Sequence, residues 1–384
     1  MSGSETETFP LESVTNAQLQ QLGEALWSWK PRSNGTSQSG VVTTHLRPDL
    51  TKFGPYFQYY REMTASYISD AFPPEEIKAL RSHDDLLAII NLIRSNPDTQ
   101  RSELTTKYFS SRQIFEETPP EDKQRAFNLA MRVLMMISCS SEGLTDDLLP
   151  LGTESSIWRR DQSAREFVSG VFSTRNHPSL NEVDESLPNI QLSLRAVGLK
   201  KVAHLSFHST DDLRNHLRLD PRTGVVEIFH HTTFLKESLK ASKNSAEQCI
   251  LPRQLALETL DSLQKVLFPP DKDSRALLRS LVSKASFDPD CLCLSSVSYR
   301  SNDERDLSYH YWGSRLMDLY DELENPRPRG LIDIWLEQRS KARHVMLATL
   351  VGVVIAVVLG MLGLVVGIFQ AWVAYQAWKH PVNV

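Results

Sequence analysis

The chain has 384 residues, 42 basic and 47 acidic, for a formal net charge of −5. That length allows two or three domains with their own cores, so disulfide staples are not required, and the near balance of charge argues against a dedicated nucleic-acid binder. Cys139, Cys249, Cys291 and Cys293 match neither a zinc-ribbon spacing nor a disulfide framework and read as reduced thiols.

The opening residues, MSGSETETFP, lack the basic flank and apolar centre of a secretory signal, and Ser2 stands where a myristoylated glycine would be needed. Synthesis in the cytosol is the expectation. Residues 1–40, rich in Ser, Thr, Gly, Asn and Gln, read as a disordered tail with one short helical candidate around Leu19 to Trp29. Asn34-Gly35-Thr36 has the form of a glycosylation sequon, which a cytosolic tail would never present to the transferase.

Residues 41–180 read as a helical domain. Asp84 to Arg94 opens on acidic residues and stops at Asn96-Pro97; Arg101 to Phe109 is a second helix and Glu121 to Ser138 a third. Leu86, Ile89, Ile93, Phe127, Ala130, Val133, Leu134 and Ile137 supply a core, and the order of helices allows a winged-helix arrangement. Arg101 and Lys107 are matched by Glu103, Glu116, Glu117 and Glu121, so no basic reading helix is available for nucleic acid. A fourth helix, Asp161 to Phe172, closes the block.

Residues 181–300 read as an α+β domain. Lys201 to His208 alternates as a strand, Ser209-Thr-Asp-Asp212 has capping spacing for a short helix, and Asp220 to Gly224 is a turn into the strand Val225 to His230. His204, His208, His216, His230 and His231 fall close together with Asp211 and Asp212 between them, so a metal or acid–base site has to be weighed. Strand geometry sets His204 and His208 about 13 Å apart and sends His230 and His231 to opposite faces, whereas zinc needs its ligands almost touching. The expectation is packing or solvent-facing histidines, with no metal, no cofactor and no catalytic residues. Two helices follow, Pro252 to Phe268 and Asp273 to Lys284, then a strand around Cys291 and Cys293.

Residues 301–343 read as a helical stalk or juxtamembrane segment: Arg305 to Glu324 carries Trp312, Leu316, Leu319 and Leu323 at helical spacing, and a second helix starts after Pro326 and Pro328. From Val345 to Phe369 there are 25 residues without a formal charge, sixteen of them Val, Leu, Ile or Phe. As a helix this run is about 37 Å long against a hydrocarbon core of about 30 Å. Residues 344–378 are therefore expected to be a transmembrane anchor, with 379–384 a short far-side tail. Arg339, Lys341 and Arg343 crowd one boundary, which puts the N-terminal bulk in the cytosol, and Trp372, Tyr375 and Trp378 mark the far interface. With only KHPVNV after Trp378, insertion would be post-translational, as in a tail-anchored protein of the endomembranes. Ala348, Gly352, Ala356, Gly360, Gly363, Gly367, Ala371 and Ala374 recur at nearly the helical repeat and form one stripe of small residues, a route to helix association and a homo-oligomer.

No P-loop, dinucleotide fingerprint, nucleophile elbow or His-Glu-x-x-His helix is present in the sequence. The stretches TDDLRNHLRLD, VVEIFHHTTFLKESL, LPRQLALETLDSLQKVLFP, SRALLRSLVSKASFDPDCL, QRSKARHVMLATLVGV and FQAWVAYQAWKHP resemble a group of fungal single-pass membrane proteins across most of residues 78 to 381. That resemblance implies the anchor and attaches no activity to it. A weaker similarity, a cytosolic α/β region feeding a stalk into a span, is to CorA-type magnesium channels. Those need a Gly-Met-Asn entrance and a second span, whereas this chain has Gly360-Met361-Leu362 and one span.

The sequence thus predicts a mainly α chain with a small α+β portion and one C-terminal transmembrane helix. The expected function is that of a tail-anchored protein whose cytosolic region binds an unknown protein partner. The alternatives are a metal-dependent enzyme or regulator using the 204–231 histidine block, and a CorA-like transport component.

Overall fold

The computed structural model describes residues 11, 13–29, 50–67, 78–111, 118–140, 156–181, 190–244, 249–293, 299–304, 307–327 and 344–379. Met1–Pro326 forms one compact unit and Arg327–Val384 a second, so the boundary expected near residue 180 falls inside the first unit.

Helices begin the first unit: α1 (Asn16–Trp27), α2 (Gly54–Ala65), α3 (His83–Ser95), α4 (Arg101–Ser110), α5 (Pro120–Met135) and α6 (Ala164–Val171). In α3, Leu86, Ile89, Ile90 and Ile93 are buried, the one-sided stripe of an amphipathic helix, while Asp85 turns back to accept the N–H groups of Arg81 and Ser82. The helix packs on α1, α4 and α5. Asp122, in the first turn of α5, takes the Tyr67 hydroxyl and the Ala79 N–H, each at 2.6 Å, and so ties in the chain before α3. Between α5 and α6 lie β1 (Cys139–Ser140) and β2 (Ser156–Ile157), a two-residue parallel pair.

Part of the segment expected to be a tail is core. Leu19, Leu22 and Trp27 of α1 are buried, and Trp27 packs against Phe53, Tyr56 and Phe234 with ring centroids 5.2, 5.3 and 6.1 Å away. Its indole donates to Ser238 Oγ at 3.2 Å, across 211 positions of sequence. Trp29 folds back over Gly23, where a Cβ would lie 2.0 Å from its ring. The sequon at Asn34 lies outside the described residues.

Three short helices, α7 (Pro178–Asn181), α8 (Ile190–Ser193) and α9 (Ala196–Val202), lead to the sheet of β3 (Ser206–Thr210), β4 (Arg218–Asp220) and β5 (Val225–Phe229). Its order is β3-β5-β4, with β5 central, parallel to β3 and antiparallel to β4. Strand β3 starts later than the sequence suggests, because Lys201 and Val202 complete α9 and His204 turns the chain at φ 53°. Between β4 and β5 the Asp220 side chain accepts the Arg222 N–H and the Thr223 hydroxyl, and Gly224 supplies the left-handed residue at φ 72°. Asp212 caps the short 3-10 turn Leu213–Asn215, accepting the Arg214 N–H at 2.9 Å.

The rest of the unit wraps the sheet. Helix α10 (Thr232–Asn244) packs on α1 and on α11 (Arg253–Asp261), which continues as a π-helical stretch, Ser262–Leu267. Leu255, Leu260, Leu263 and Leu267 are all buried, so the stripe survives the change of helical pitch. Helix α12 (Lys272–Lys284) packs on α9, and α13 (Gly313–Glu324) on α9 and β4. The strand expected at Cys291 and Cys293 is instead the 3-10 turn Pro289–Leu292, opened by Asp288, whose carboxylate caps the Asp290 N–H at 2.8 Å.

In the second unit, α14 (His344–Lys379) is one uninterrupted helix of 36 residues. The structure is thus mostly helical with a small sheet portion, as the sequence predicts.

Candidate functional site

Two features carry chemistry. The first is α14, in which Gly352–Gln376 contains no Asp, Glu, Lys or Arg and has its described side chains exposed, Leu364 and Met361 by 65 and 64 %. A contiguous apolar face of this size exposed to water is an aggregation liability. The helix is long and apolar enough to cross a membrane. Gly352, Ala356, Gly360, Gly363, Gly367 and Ala371 lie along it, and nothing approaches a Cβ built on any of the four glycines within 4 Å. Trp372 and Tyr375 are exposed by 57 and 56 %, and the Trp372 ring stacks on Phe369. Ala348 and Trp378 belong to the helix, with side chains outside the described residues; Arg339, Lys341 and Arg343 lie outside them entirely.

The second feature is a polar cluster where β5 gives way to α10. The five histidines divide three ways. His204 and His208 are exposed. His216 is buried beneath Trp312, where Nδ1 accepts the Phe229 N–H at 3.3 Å and Nε2 meets Ser262 Oγ at 2.7 Å. Burial, with Arg315 nearby, pushes it well below the usual histidine range.

His230 and His231 come together, contrary to the expectation of opposite faces. Strand β5 ends at Phe229 and α10 begins at Thr232, so the two residues sit in a turn, not in the alternating strand, and their rings lie 4.1 Å apart. Both Nε2 atoms address the same Asp211 Oδ1, at 3.2 and 2.6 Å. Burial works against ionisation of Asp211, but the two imidazole donors and their charge outweigh it and hold this half-exposed carboxyl well below the usual range. Burial and its His230 neighbour bring His231 down to about 4.

Asp211, His230 and His231 place three possible metal donors within 4.8 Å of one another. Hydrogen bonding decides what they can do. The Asp288 N–H donates to His230 Nδ1 at 3.0 Å, so in the neutral ring Nε2 carries the hydrogen and has no lone pair for a metal. His231 points Nε2 at Asp211 and leaves Nδ1 buried without a partner, so it offers no solvent-facing base either. The arrangement is a hub in which one carboxylate accepts two ring N–H groups.

Around it the 288–293 turn is fastened to α10. Asp290 Oδ2 accepts the Thr232 hydroxyl at 2.8 Å and Lys236 Nζ at 2.6 Å, Lys236 also reaches the Cys293 carbonyl, and Asp288 takes the Thr233 hydroxyl. Sequence reading missed Asp288, Asp290 and Lys236 as members of the hub. Their only signal is the Asp-Pro-Asp run, which marks a turn and names no partner.

No protein-family model, curated protein or solved structure matches this chain.

Proposed function

We propose that this is a non-enzymatic, single-pass membrane protein. Helix α14 is its tail anchor, the body before it faces the cytosol and binds a protein partner, and copies associate through the stripe Ala348, Gly352, Ala356, Gly360, Gly363, Gly367 and Ala371. One observation carries the reading: an uncharged helical run, Gly352–Gln376, whose described side chains are exposed along its whole length. Arg339, Lys341 and Arg343 before it favour the cytosolic side for the body, and the resemblance to fungal single-pass proteins supports an anchor without adding an activity. In lipid, close backbone approach over small residues is a standard route to association, which supports the oligomer.

The reading is tested with the full chain in cells. Resistance to alkaline carbonate, together with cleavage of the body by protease added outside sealed vesicles, is the expected result. Extraction by carbonate, or a protected body, would overturn it.

A metal-dependent regulator is favoured by one observation, the three close donors at Asp211, and opposed by the tautomer that Asp288 imposes on His230. A CorA-like transport role finds no ionisable residue between Val345 and Phe369 to line an ion path.

A further inference from the structure

The charge of the chain is unevenly spread. Segments 195–202 and 271–284, which are α9 and α12 with their capping residues, hold seven basic and two acidic residues, in a protein whose net charge is −5. The two helices pack together, and Arg195 lies 3.8 Å from Asp271, joining their first turns. On α12, Lys272, Arg275 and Arg279 stand at i, i+3 and i+7 and are all exposed, on a line set to one side of the buried Ser274 and Leu278. Lys200 and Lys201 are exposed on α9. None of these five cations has a carboxylate within ion-pair distance among the described residues.

The same place carries exposed apolar side chains. Outside α14, three large hydrophobic residues are exposed among the described residues, and two of them are here: Val202, 51 % exposed at the end of α9, and Leu192, 64 % exposed on α8. Helix α8 abuts α9, the Ser193 carbonyl lying 3.9 Å from a Cβ built on Gly198. Cations flanking protruding apolar side chains are the chemistry of a surface that rests on anionic lipid, the charges meeting phosphate and serine headgroups and the apolar tips entering between them.

We infer that the α9–α12 face docks on the anionic leaflet of the membrane in which α14 is anchored. The inference rests on the anchored reading, and the anchor is what favours lipid over a free acidic protein. Seventeen residues, 327–343, join the first unit to α14, and a chain of that length cannot extend beyond about 60 Å. The tether limits how far the body can move from the bilayer, and each Lys or Arg that reaches an anionic surface contributes about 1 kcal/mol. A weak patch becomes occupied under those conditions, whereas a soluble acidic partner gains nothing from the tether.

The test uses full-length protein in nanodiscs of phosphatidylcholine alone or with phosphatidylserine, labelling lysines with an amine-reactive reagent and reading each site by mass spectrometry. Lys200, Lys201 and Lys272 should label about fivefold less in the serine-containing discs at low salt, and high salt should remove that protection. The double variant Arg275→Glu, Arg279→Glu, whose changes lie on the exposed stripe, should lose the protection at Lys200 and Lys201 while its thermal midpoint stays unchanged. Equal labelling in the two lipids, or protection that ignores both lipid and salt, overturns the docking and leaves the anchor standing. Failure of the wild-type chain to enter nanodiscs overturns the anchor, and the docking with it.

Discussion

The Glu258 carboxylate supports Trp312 from below: Oε2 accepts the Trp312 backbone N–H at 3.1 Å and that of Tyr311 at 2.8 Å, while Oε1 accepts the His310 N–H at 2.9 Å. Glu258 is fully buried, and burial raises its pKa against the opposing pull of these donors. Replacement Glu258→Ala leaves three donors without an acceptor, each costing about 1 to 3 kcal/mol when buried. We expect a loss of about 3 kcal/mol or more, read as a lower urea midpoint by pulse proteolysis of the full chain. An unchanged midpoint would show that the α13 approach does not depend on this contact.

Trp27→Ala removes a side chain only 5 % exposed from a ring cluster and should cost about 3 to 5 kcal/mol. Gly23→Ala, chemically much milder, should also destabilise, because its new methyl would fall 2.0 Å from the Trp29 ring. Thermal unfolding of both variants is the check; a wild-type midpoint for Trp27→Ala would return α1 to the status of a tail.

Acid should weaken the body. His231 and His216 have folded-state pKa values below the unfolded value of 6.5, His231 at about 4, so between these limits the unfolded chain binds more protons than the native one. Their contribution is complete above pH 6.5 and is lost as pH falls toward 4. Asp211, held below its ordinary 3.8, adds a further loss below that window. Thermal midpoints across this range should fall on acidification, and His231→Asn, which keeps an N–H for Asp211, should flatten the slope. A slope unaffected by the substitution would remove His231 from the account.

Zinc should not bind the Asp211 hub with stoichiometric occupancy, because His230 Nε2 carries a hydrogen while Asp288 occupies Nδ1. Elemental analysis of full-length protein, and thermal midpoints with and without chelator, should show neither bound metal nor a shift. One zinc per chain, lost on replacing His230, would reverse this conclusion and revive the regulator.

Leu at Gly360 and Gly363 should reduce self-association of α14 in a membrane two-hybrid assay severalfold, since each adds bulk where a Cβ now meets open space. Unchanged association would place the contact on another side of the helix or abolish it.

Local pattern made much of the fold legible. The apolar stripes of α3, α5 and α11, the turn at Asp220 to Gly224, the strand after it and the terminal helix all follow from periodicity, caps and breakers that act within a few residues. Helix α2 carries the same kind of signal, with Phe53 just before it and Tyr56, Phe57 and Tyr60 within it at i, i+3, i+4 and i+7, all four buried. The importance of α1 was not legible, because its apolar side is completed by Phe234 and Ser238, far away in sequence. The hub failed for a different reason. Whether His230 and His231 face apart or together turns on a strand ending one residue earlier, and strand ends are what alternation specifies least.

The span between Trp27 and Ser238 also bears on biosynthesis. At about 5 to 20 residues per second, a ribosome needs roughly 10 to 40 s to travel from one to the other. During that interval Leu19, Leu22 and Trp27 have no α10 to cover them. For that time Trp27 lacks Phe234 and the Ser238 hydroxyl, while α3, which also packs on α1, is already made.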